Sequence, residues 1–275
     1  MTPPARERFA AAAREERPDL AELCLLIGAE AEPALDGAAI DVAQIELDRL
    51  AGLLPYGLST PLAWATALHR VLGARHGFHG TPGDYRHLSS SLLQEVLRRR
   101  RGLPILLSVV WIEVARRAGA PVYGVALPGH FVVGFGDPAG AYVLVDPFDG
   151  GRVLSTADAE LLVAGATGGA AVSPAVLTPA DPLDIVQRVL NNIRVWADPL
   201  PENLPVQLWS LDLTLLLPRH PAKLRYERAQ LLVKMGDFLG GAAEMDDYAE
   251  LIGAFDPETA AEIRARARAA RALLN

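Results

Sequence analysis

The sequence predicts an α+β protein that is mostly helical and contains one small antiparallel sheet. Apolar residues recur every three or four positions in residues 20–77 and again in residues 91–119, which is the period of an amphipathic helix. Short runs of β-branched and aromatic residues replace that period in residues 121–151, which is typical of strands joined by turns. Because the helical period returns from residue 183 onward, the sheet is expected between two helical segments.

The N-terminal half is expected to be helical. Three helices are predicted in residues 20–77, because proline and glycine cluster at 33–37 and 55–61 between the apolar stripes. A polar segment rich in glycine and histidine, residues 75–87, is predicted as a loop. A helix over 91–101 follows. Another begins at Pro104, since proline at the first helical position costs no backbone hydrogen bond, and ends at Gly119.

Three strands are predicted next, over residues 122–127, 131–135 and 142–145. A turn over 136–140 would place His130 directly opposite Asp146 on one face of the sheet. A four-residue turn would instead place the two side chains on opposite faces. After residue 183 the prolines and glycines leave room for about five helices.

Composition restricts the classes of function. The chain has 275 residues, 51% of them hydrophobic, and a formal charge of −7, which excludes a disordered or collagen-like protein. The acidic balance argues against a nucleic-acid-binding protein, because phosphate contacts need a basic face. Cys24 is the single cysteine, so neither an internal disulfide nor a cysteine-rich zinc site can form.

The sequence shows no targeting signal that would direct the protein out of the cytoplasm. The first 20 residues contain no apolar core of a signal peptide. The most continuous strongly apolar run, residues 102–112, is too short to span a bilayer. We therefore expect a cytoplasmic protein with no membrane partner.

The candidate site lies in residues 98–151. A predicted helix that starts at Pro104 precedes a strand that begins near His130 and a strand that ends at Asp146. A helix N-terminus, an imidazole and a carboxylate form the layout of a Cys-His-Asp acyl-transfer site. In such a site the helix dipole and the imidazole stabilise a thiolate, and the carboxylate holds the imidazole tautomer.

Three motifs of this segment resemble the SirB-type group of the transglutaminase-like superfamily. They are RRGLP from Arg100, PGHF from Pro128 and DPFDGG from Asp146, preceded by GFHG and Tyr85, which resemble the usual lead-in. The resemblance implies a transglutaminase-like (papain-like) core over residues 35–180. It also implies an N-terminal extension with the first helix over 1–34, and a tetratricopeptide-like helical tail over 181–275.

The resemblance also implies roles for individual residues. His130 and Asp146 match the histidine and aspartate of the superfamily, while Leu103, after a glycine, stands at the position of the nucleophilic cysteine. Leucine has no lone pair, so the resemblance implies a non-catalytic binding or regulatory module with a protein or peptide partner and no cofactor. The binding residues it implies are Arg101, Gly102, Pro104, Pro128, Gly129, Phe131 and Phe148.

Two other functions remain open. The first is a hydrolase or acyl transferase that uses His130 and Asp146 with an unidentified nucleophile. Cys24 on an apolar helix is more typical of a buried hydrophobe, and Ser108 lies about 140° around the helix from Leu103. The serines at 89–91 are more typical of a helix cap. The second is a scaffold whose helical tail carries the binding.

Two clusters of polar residues are further candidates for binding sites. Four histidines lie within 19 residues, with Asp84 among them: His69, His76, His79 and His87. They suggest a metal site, but no other ligand type is spaced regularly with them, so we expect a solvated loop and no metal. The four arginines at 98–101 are expected to form a solvated or salt-bridged face at a helix end, with an acidic-partner or phosphate site as the alternative.

Overall fold

The computed structural model describes residues 5–168 and 178–274 and confirms the α+β class. Within these residues the helices are α1 (Ala5–Ala12), α2 (Leu20–Ala31), α3 (Gly37–Ala51), α4 (Pro61–Leu68), α5 (Leu93–Arg99), α6 (Pro104–Arg117), α7 (Thr156–Thr167), α8 (Pro182–Ala197), α9 (Leu204–Leu216), α10 (Lys223–Lys234), α11 (Phe238–Ile252) and α12 (Pro257–Ala272). The strands are β1 (Val122–Val125), β2 (Val132–Gly136), β3 (Tyr142–Asp146) and β4 (Arg152–Leu154). Helix α1 and strand β4 were not predicted.

The three helices predicted in residues 20–77 are confirmed as α2, α3 and α4. Each begins at a capping side chain, because Asp19, Asp36 and Thr60 accept hydrogen bonds from backbone N–H groups of the first helical turn. Helix α4 then continues into a π-helical segment, His69–Arg75. This segment departs from the regular helix that the sequence predicted there.

Helix α6 is the central element of the core. All of its residues from Pro104 to Ala115 are buried, which is typical of a helix enclosed on every side. The hydroxyl of Ser108 donates to the carbonyl of Phe131 over 3.3 Å, so α6 lies directly against the start of β2. This packing brings the helix and the strand of the candidate site together.

The sheet is antiparallel throughout, in the order β1-β2-β3-β4. Phe135 pairs with Val143 and Gly136 with Tyr142, so the predicted pairing of β2 with β3 is wrong by two residues. The turn between the strands occupies residues 137–141 instead of 136–140. His130 therefore lies before β2 and is not directly opposite Asp146. A shift of two residues preserves the face of each side chain, so the two remain neighbours.

The chain packs as two compact units, Met1–Val189 and Leu190–Asn275. The core of the second unit contains Ala242, Met245 and Ile263, and the rings of Tyr226 and Tyr248 stack beside it at 5.8 Å. The division falls inside α8, and the domain boundaries predicted at 34/35 and 180/181 stay predictions. In the described part of the chain, no helix has the length and apolarity needed to cross a bilayer.

Candidate functional site

The segment predicted as a solvated loop is folded. Residues 75–87 contain a short 3-10 helix, Pro82–Arg86, and a buried carboxylate, Asp84, and a second 3-10 helix, Leu88–Ser91, follows them. Asp84 accepts hydrogen bonds from the backbone and the hydroxyl of Thr81, both at 2.8 Å, and from Arg101 at 2.9 Å. Burial raises the pKa of Asp84, but the hydrogen bonds from Arg101 and Thr81 outweigh burial and leave the pKa below its usual value. The prediction of a solvated loop therefore holds for the exposed side chains of His79 and His87 but not for Phe78 and Asp84, which are buried.

The four consecutive arginines are engaged in ion pairs, as one of the two predictions for them states. Arg98 pairs with Glu95 at 2.6 Å, Arg99 lies 3.8 Å from Asp84, and Arg101 pairs with Asp84. Arg100 pairs with Glu46 at 2.6 Å and lies over the ring of Phe78. Arg100 also ends α5 with a φ of 61°, two residues earlier than predicted, and this reversal turns the chain toward Gly102. Arg99, Arg100 and Arg101 therefore join the end of α5 to the carboxylates of Asp84 and Glu46.

A tight turn presents His130. The N–H of His130 bonds to the carbonyl of Leu127 over 3.2 Å, with Pro128 and Gly129 between them. Gly129 has a φ of 68°, which glycine adopts at little cost in this type of turn. Arg188 holds the turn from outside, because its guanidinium donates to the carbonyls of Leu127 at 2.7 Å and His130 at 3.3 Å.

His130 and Asp146 form the contact that the sequence predicted. Nε2 of His130 lies 3.0 Å from Oδ2 of Asp146, and Oδ1 of Asp146 accepts the N–H of Phe148 at 2.9 Å. Because a carboxylate only accepts hydrogen bonds, Nε2 carries a proton, and in the neutral form of the ring Nδ1 has the lone pair. The side chains are 11% and 6% exposed, so the pair is mostly enclosed. The hydrogen bond is confirmed, while the roles of both residues stay predictions.

Phe148 joins His130 to the N-terminus of α6. Its ring meets His130 edge to face at 6.0 Å and the half-exposed Tyr85 at 6.1 Å. A β-carbon on Gly80 would lie 2.0 Å from the Phe148 ring and 2.8 Å from the carbonyl oxygen of Gly102, so only glycine fits between them. Burial raises the pKa of Tyr85, and the carboxylate of Asp146 raises it further. The aromatic pair, the imidazole and the helix start are thus contiguous.

The position at which the resemblance implies a lost nucleophile is apolar. Leu103 is the N-cap of α6, is 6% exposed and provides no side-chain cap. Its N–H bonds to the carbonyl of Ser90 at 2.9 Å. Cys24 is buried, and burial, with Glu113 and Asp19 nearby, raises the pKa of its thiol strongly. Among the described residues, no hydroxyl or thiol is hydrogen bonded to the His130 ring.

The binding residues implied by the resemblance occupy different environments. Gly102, Pro104 and Phe131 are buried, Arg101 is paired with Asp84, and Pro128 and Gly129 form the turn. Phe148 meets the His130 ring edge to face. Two further residues of the site were not predicted. Arg188 lies 58 residues after His130 and carries no local signal, and Gly80 lies within the GFHG motif.

Three of the four clustered histidines form hydrogen bonds with backbone carbonyls. Nδ1 of His69 bonds to Gly150 at 2.8 Å, Nδ1 of His76 to Val71 at 2.7 Å, and Nδ1 of His79 to Gly77 at 2.8 Å. Among the residues that the structure describes, no group of three or more His, Cys, Asp or Glu side chains could hold a metal ion. The expectation of no metal and no cofactor stays a prediction.

Comparisons with known proteins agree with the motifs. A family model described as the transglutaminase-like superfamily matches residues 41–191. A UPF0162 protein of Xylella fastidiosa is 32% identical over 243 residues, which are 86% of this chain and 85% of the relative. A UPF0162 protein of Pseudomonas aeruginosa is 34% identical over 185 residues, 66% of this chain and 65% of the relative. Mouse F-box only protein 21 is 30% identical over 134 residues, 46% of this chain and 21% of that protein.

Proposed function

The chain belongs to the transglutaminase-like superfamily, among SirB-type UPF0162 relatives, and from this membership we propose that it is a non-catalytic member that binds a protein or peptide segment beside His130. One observation carries the proposal. The His130–Asp146 pair is complete at 3.0 Å, whereas the start of α6, where active relatives place a cysteine, presents Leu103. Acyl transfer through a covalent intermediate needs a nucleophile at that point, and leucine provides none.

The remaining groups suit recognition of an extended peptide. The free lone pair on Nδ1 of His130 accepts a hydrogen bond from a peptide N–H or a hydroxyl group. Phe148 and Tyr85 offer aromatic surface next to it, on which an apolar side chain packs. Asp146 holds the ring in place, so the acceptor is oriented before the ligand arrives.

A regulatory role in the cytoplasm completes the proposal. The regulatory role rests on the SirB-type resemblance. The compartment rests on the single cysteine, which is buried, reduced and unable to form an internal disulfide.

A hydrolase is the rival function, and the intact His130–Asp146 pair favours it. An imidazole held by a carboxylate can take a proton from water without a cysteine nearby. Both functions place the ligand at Nδ1, but only hydrolysis changes the covalent structure of the ligand.

A displayed library of random short peptides separates the two functions. We expect the wild-type protein to enrich a set of peptides, and His130→Ala to weaken their binding at least about tenfold. His220→Ala, a matched histidine change in the second unit, should bind them as the wild type does. Mass spectrometry of the enriched peptides after incubation should show unchanged masses. Equal binding by wild type and His130→Ala would contradict the proposal, and a mass change that His130→Ala abolishes would establish the hydrolase.

A further inference from the structure

A second surface of the first unit lies outside the His130 site. It is an open groove of about 610 Å³ that α4, the π-helical segment and the preceding residues 53–58 line together. Its apolar part includes Leu53, Leu58 and Val71, and Leu62 lies in it with 55% of its surface exposed. Arg70 and Arg75 also line it. We call this surface the α4 groove.

The two arginines of the α4 groove differ from the arginine run at 98–101 of the same unit. Both are exposed, and neither has an acidic partner within ion-pair distance among the described residues. The arginines at 98–101, by contrast, each lie within ion-pair distance of a carboxylate. No aspartate or glutamate lines the groove. The groove is therefore a local positive site in a chain of net charge −7.

The π-helical segment brings these arginines together. In an α-helix, residues five positions apart point about 140° away from each other. The hydrogen bonds of a π-helix join residues five positions apart, as the N–H of His76 and the carbonyl of Val71 do here at 3.1 Å. Arg70 and Arg75 are spaced by the same interval, so they lie on one side of the segment. A regular continuation of α4 would separate them.

We propose that the α4 groove binds an acidic peptide segment of a partner protein. Its apolar side chains pack on Leu58 and Leu62, and two of its carboxylates pair with Arg70 and Arg75. The volume of the groove falls within the range of established ligand sites. An apolar lining with two charges fits a peptide better than a nucleic acid, whose contacts are dominated by phosphates. This surface is independent of the function proposed for His130.

A peptide display experiment on the full chain tests the α4 groove. We expect the wild type to enrich short peptides that place two or more Asp or Glu residues beside Leu, Ile or Phe. Arg70→Glu/Arg75→Glu should weaken binding of such a peptide at least about tenfold in fluorescence anisotropy. Arg17→Glu/Arg219→Glu, which changes the net charge equally outside the groove, should bind as the wild type does. Leu62→Asp should also lose binding, while His130→Ala should retain it.

Exchanging the charges of the peptide and the groove shows whether the double variant is folded. A synthetic copy of the enriched peptide with Lys in place of its acidic residues should bind Arg70→Glu/Arg75→Glu better than it binds the wild type. A misfolded variant could not show this reversal. The proposal is overturned if enriched peptides lack acidic residues, if the double variant binds them as the wild type does, if the lysine peptide shows no reversal, or if no peptide is enriched. Loss of binding on His130→Ala with no effect of Arg70→Glu/Arg75→Glu would assign the peptides to the His130 site alone.

Discussion

Asp84, which precedes Tyr85 in the chain, and Asp146, which accepts the N–H of Phe148, are two buried aspartates with different partners. Asp84 bonds to Thr81 and to the guanidinium of Arg101, with Arg99 also near. Asp146 bonds to an imidazole and to a backbone N–H. The charge of Asp84 is thus balanced by permanent cations, whereas Asp146 has, among the described side chains, an imidazole as its hydrogen-bond partner, and this ring can exist as a neutral base.

This difference separates a stabilising ion pair from a candidate site. An aspartate paired with arginines leaves no group that can exchange a proton with a ligand, because the arginines stay protonated at every physiological pH. An aspartate that holds a histidine leaves the second ring nitrogen for a ligand. We therefore expect changes at Asp84 to act on stability, and changes at Asp146 and its surroundings to act on the chemistry of the site.

The largest effect on stability is expected for Asp84→Asn. The change removes a buried charge from between Arg101 and Arg99 and should lower the free energy of unfolding by about 3 kcal/mol. Asp149→Asn is the matched control, because Asp149 is 63% exposed and its pair with Arg152 should contribute less than about 1 kcal/mol. Urea denaturation measures both. Equal losses of unfolding free energy for the two variants would show that the ion pairs of Asp84 stabilise the fold no more than an exposed pair does.

Leu103→Cys in a Cys24→Ala background tests the chemistry on the Asp146 side. A thiol there sits at the N-terminus of α6, and a helix N-terminus with a nearby imidazole lowers thiol pKa values to roughly 3.5–7.5 from about 8.5. Iodoacetamide at about pH 6 should therefore alkylate it tens of times faster than it alkylates Tyr56→Cys in the same background, a fully exposed control. Adding His130→Ala should slow the reaction markedly. Cys24 in the parent protein should react only after unfolding.

Access of reagent to the introduced thiol is checked with a small disulfide reagent at about pH 8.5, where an ordinary thiol also reacts. If the thiol is accessible, has the same pKa as the control thiol and reacts at the same rate after His130→Ala, then Leu103 and His130 do not lie close enough to interact. Alkylation alone would not establish catalysis, since acyl transfer also needs oxyanion donors at about 2.7–3.1 Å from the developing charge.

Asp146→Asn should change the histidine more than the stability. The amide can keep accepting the N–H of Phe148 and then presents an NH2 donor to Nε2 of His130. The imidazole proton should move to Nδ1, which would become a donor, at a cost of about 1 kcal/mol in unfolding free energy. Nitrogen-15 NMR of labelled histidine reports the tautomer. An unchanged tautomer would mean that Asp146 does not orient the ring, and Asp149→Asn serves as the control.

The smallest effect is expected in the pH dependence of stability that comes from Glu46 and its ion pairs with Arg49 and Arg100. Hydrogen bonds from Arg49 and Arg100 lower the pKa of Glu46 from 4.5 to about 2. Because the folded pKa is below the unfolded one, this contribution to stability is complete above about pH 5 and is lost as the pH falls toward 2. Solvent screening limits it to about 1 kcal/mol or less. Glu46→Gln should flatten the unfolding free energy over that range, whereas Glu7→Gln should not. A curve for Glu46→Gln parallel to the wild-type curve would contradict this.

Much of the fold could be predicted because its signals are local. Helices α2, α3 and α4 follow from apolar periodicity and begin at capping residues, and the start of α6 follows from Pro104 at its first position. The turn before His130 follows from Pro128 and Gly129. The strand pairing was wrong by two residues because turns of equal length that start one residue apart are compatible with the same alternation of side chains.

The amino-acid sequence alone specifies the class of the fold and the apolar residue Leu103 at the start of α6, whereas the contact between His130 and Asp146 also depended on the turn between β2 and β3. Packing of the folded chain brings Asp84 to Arg101, Arg188 to the turn before His130, and Arg70 to the same side of a π-helical segment as Arg75. The difference comes from how far apart the interacting residues lie along the chain. Helix period, caps and turns depend on neighbours a few residues away, whereas ion pairs and buried polar contacts depend on which distant surfaces the packing of the core brings together.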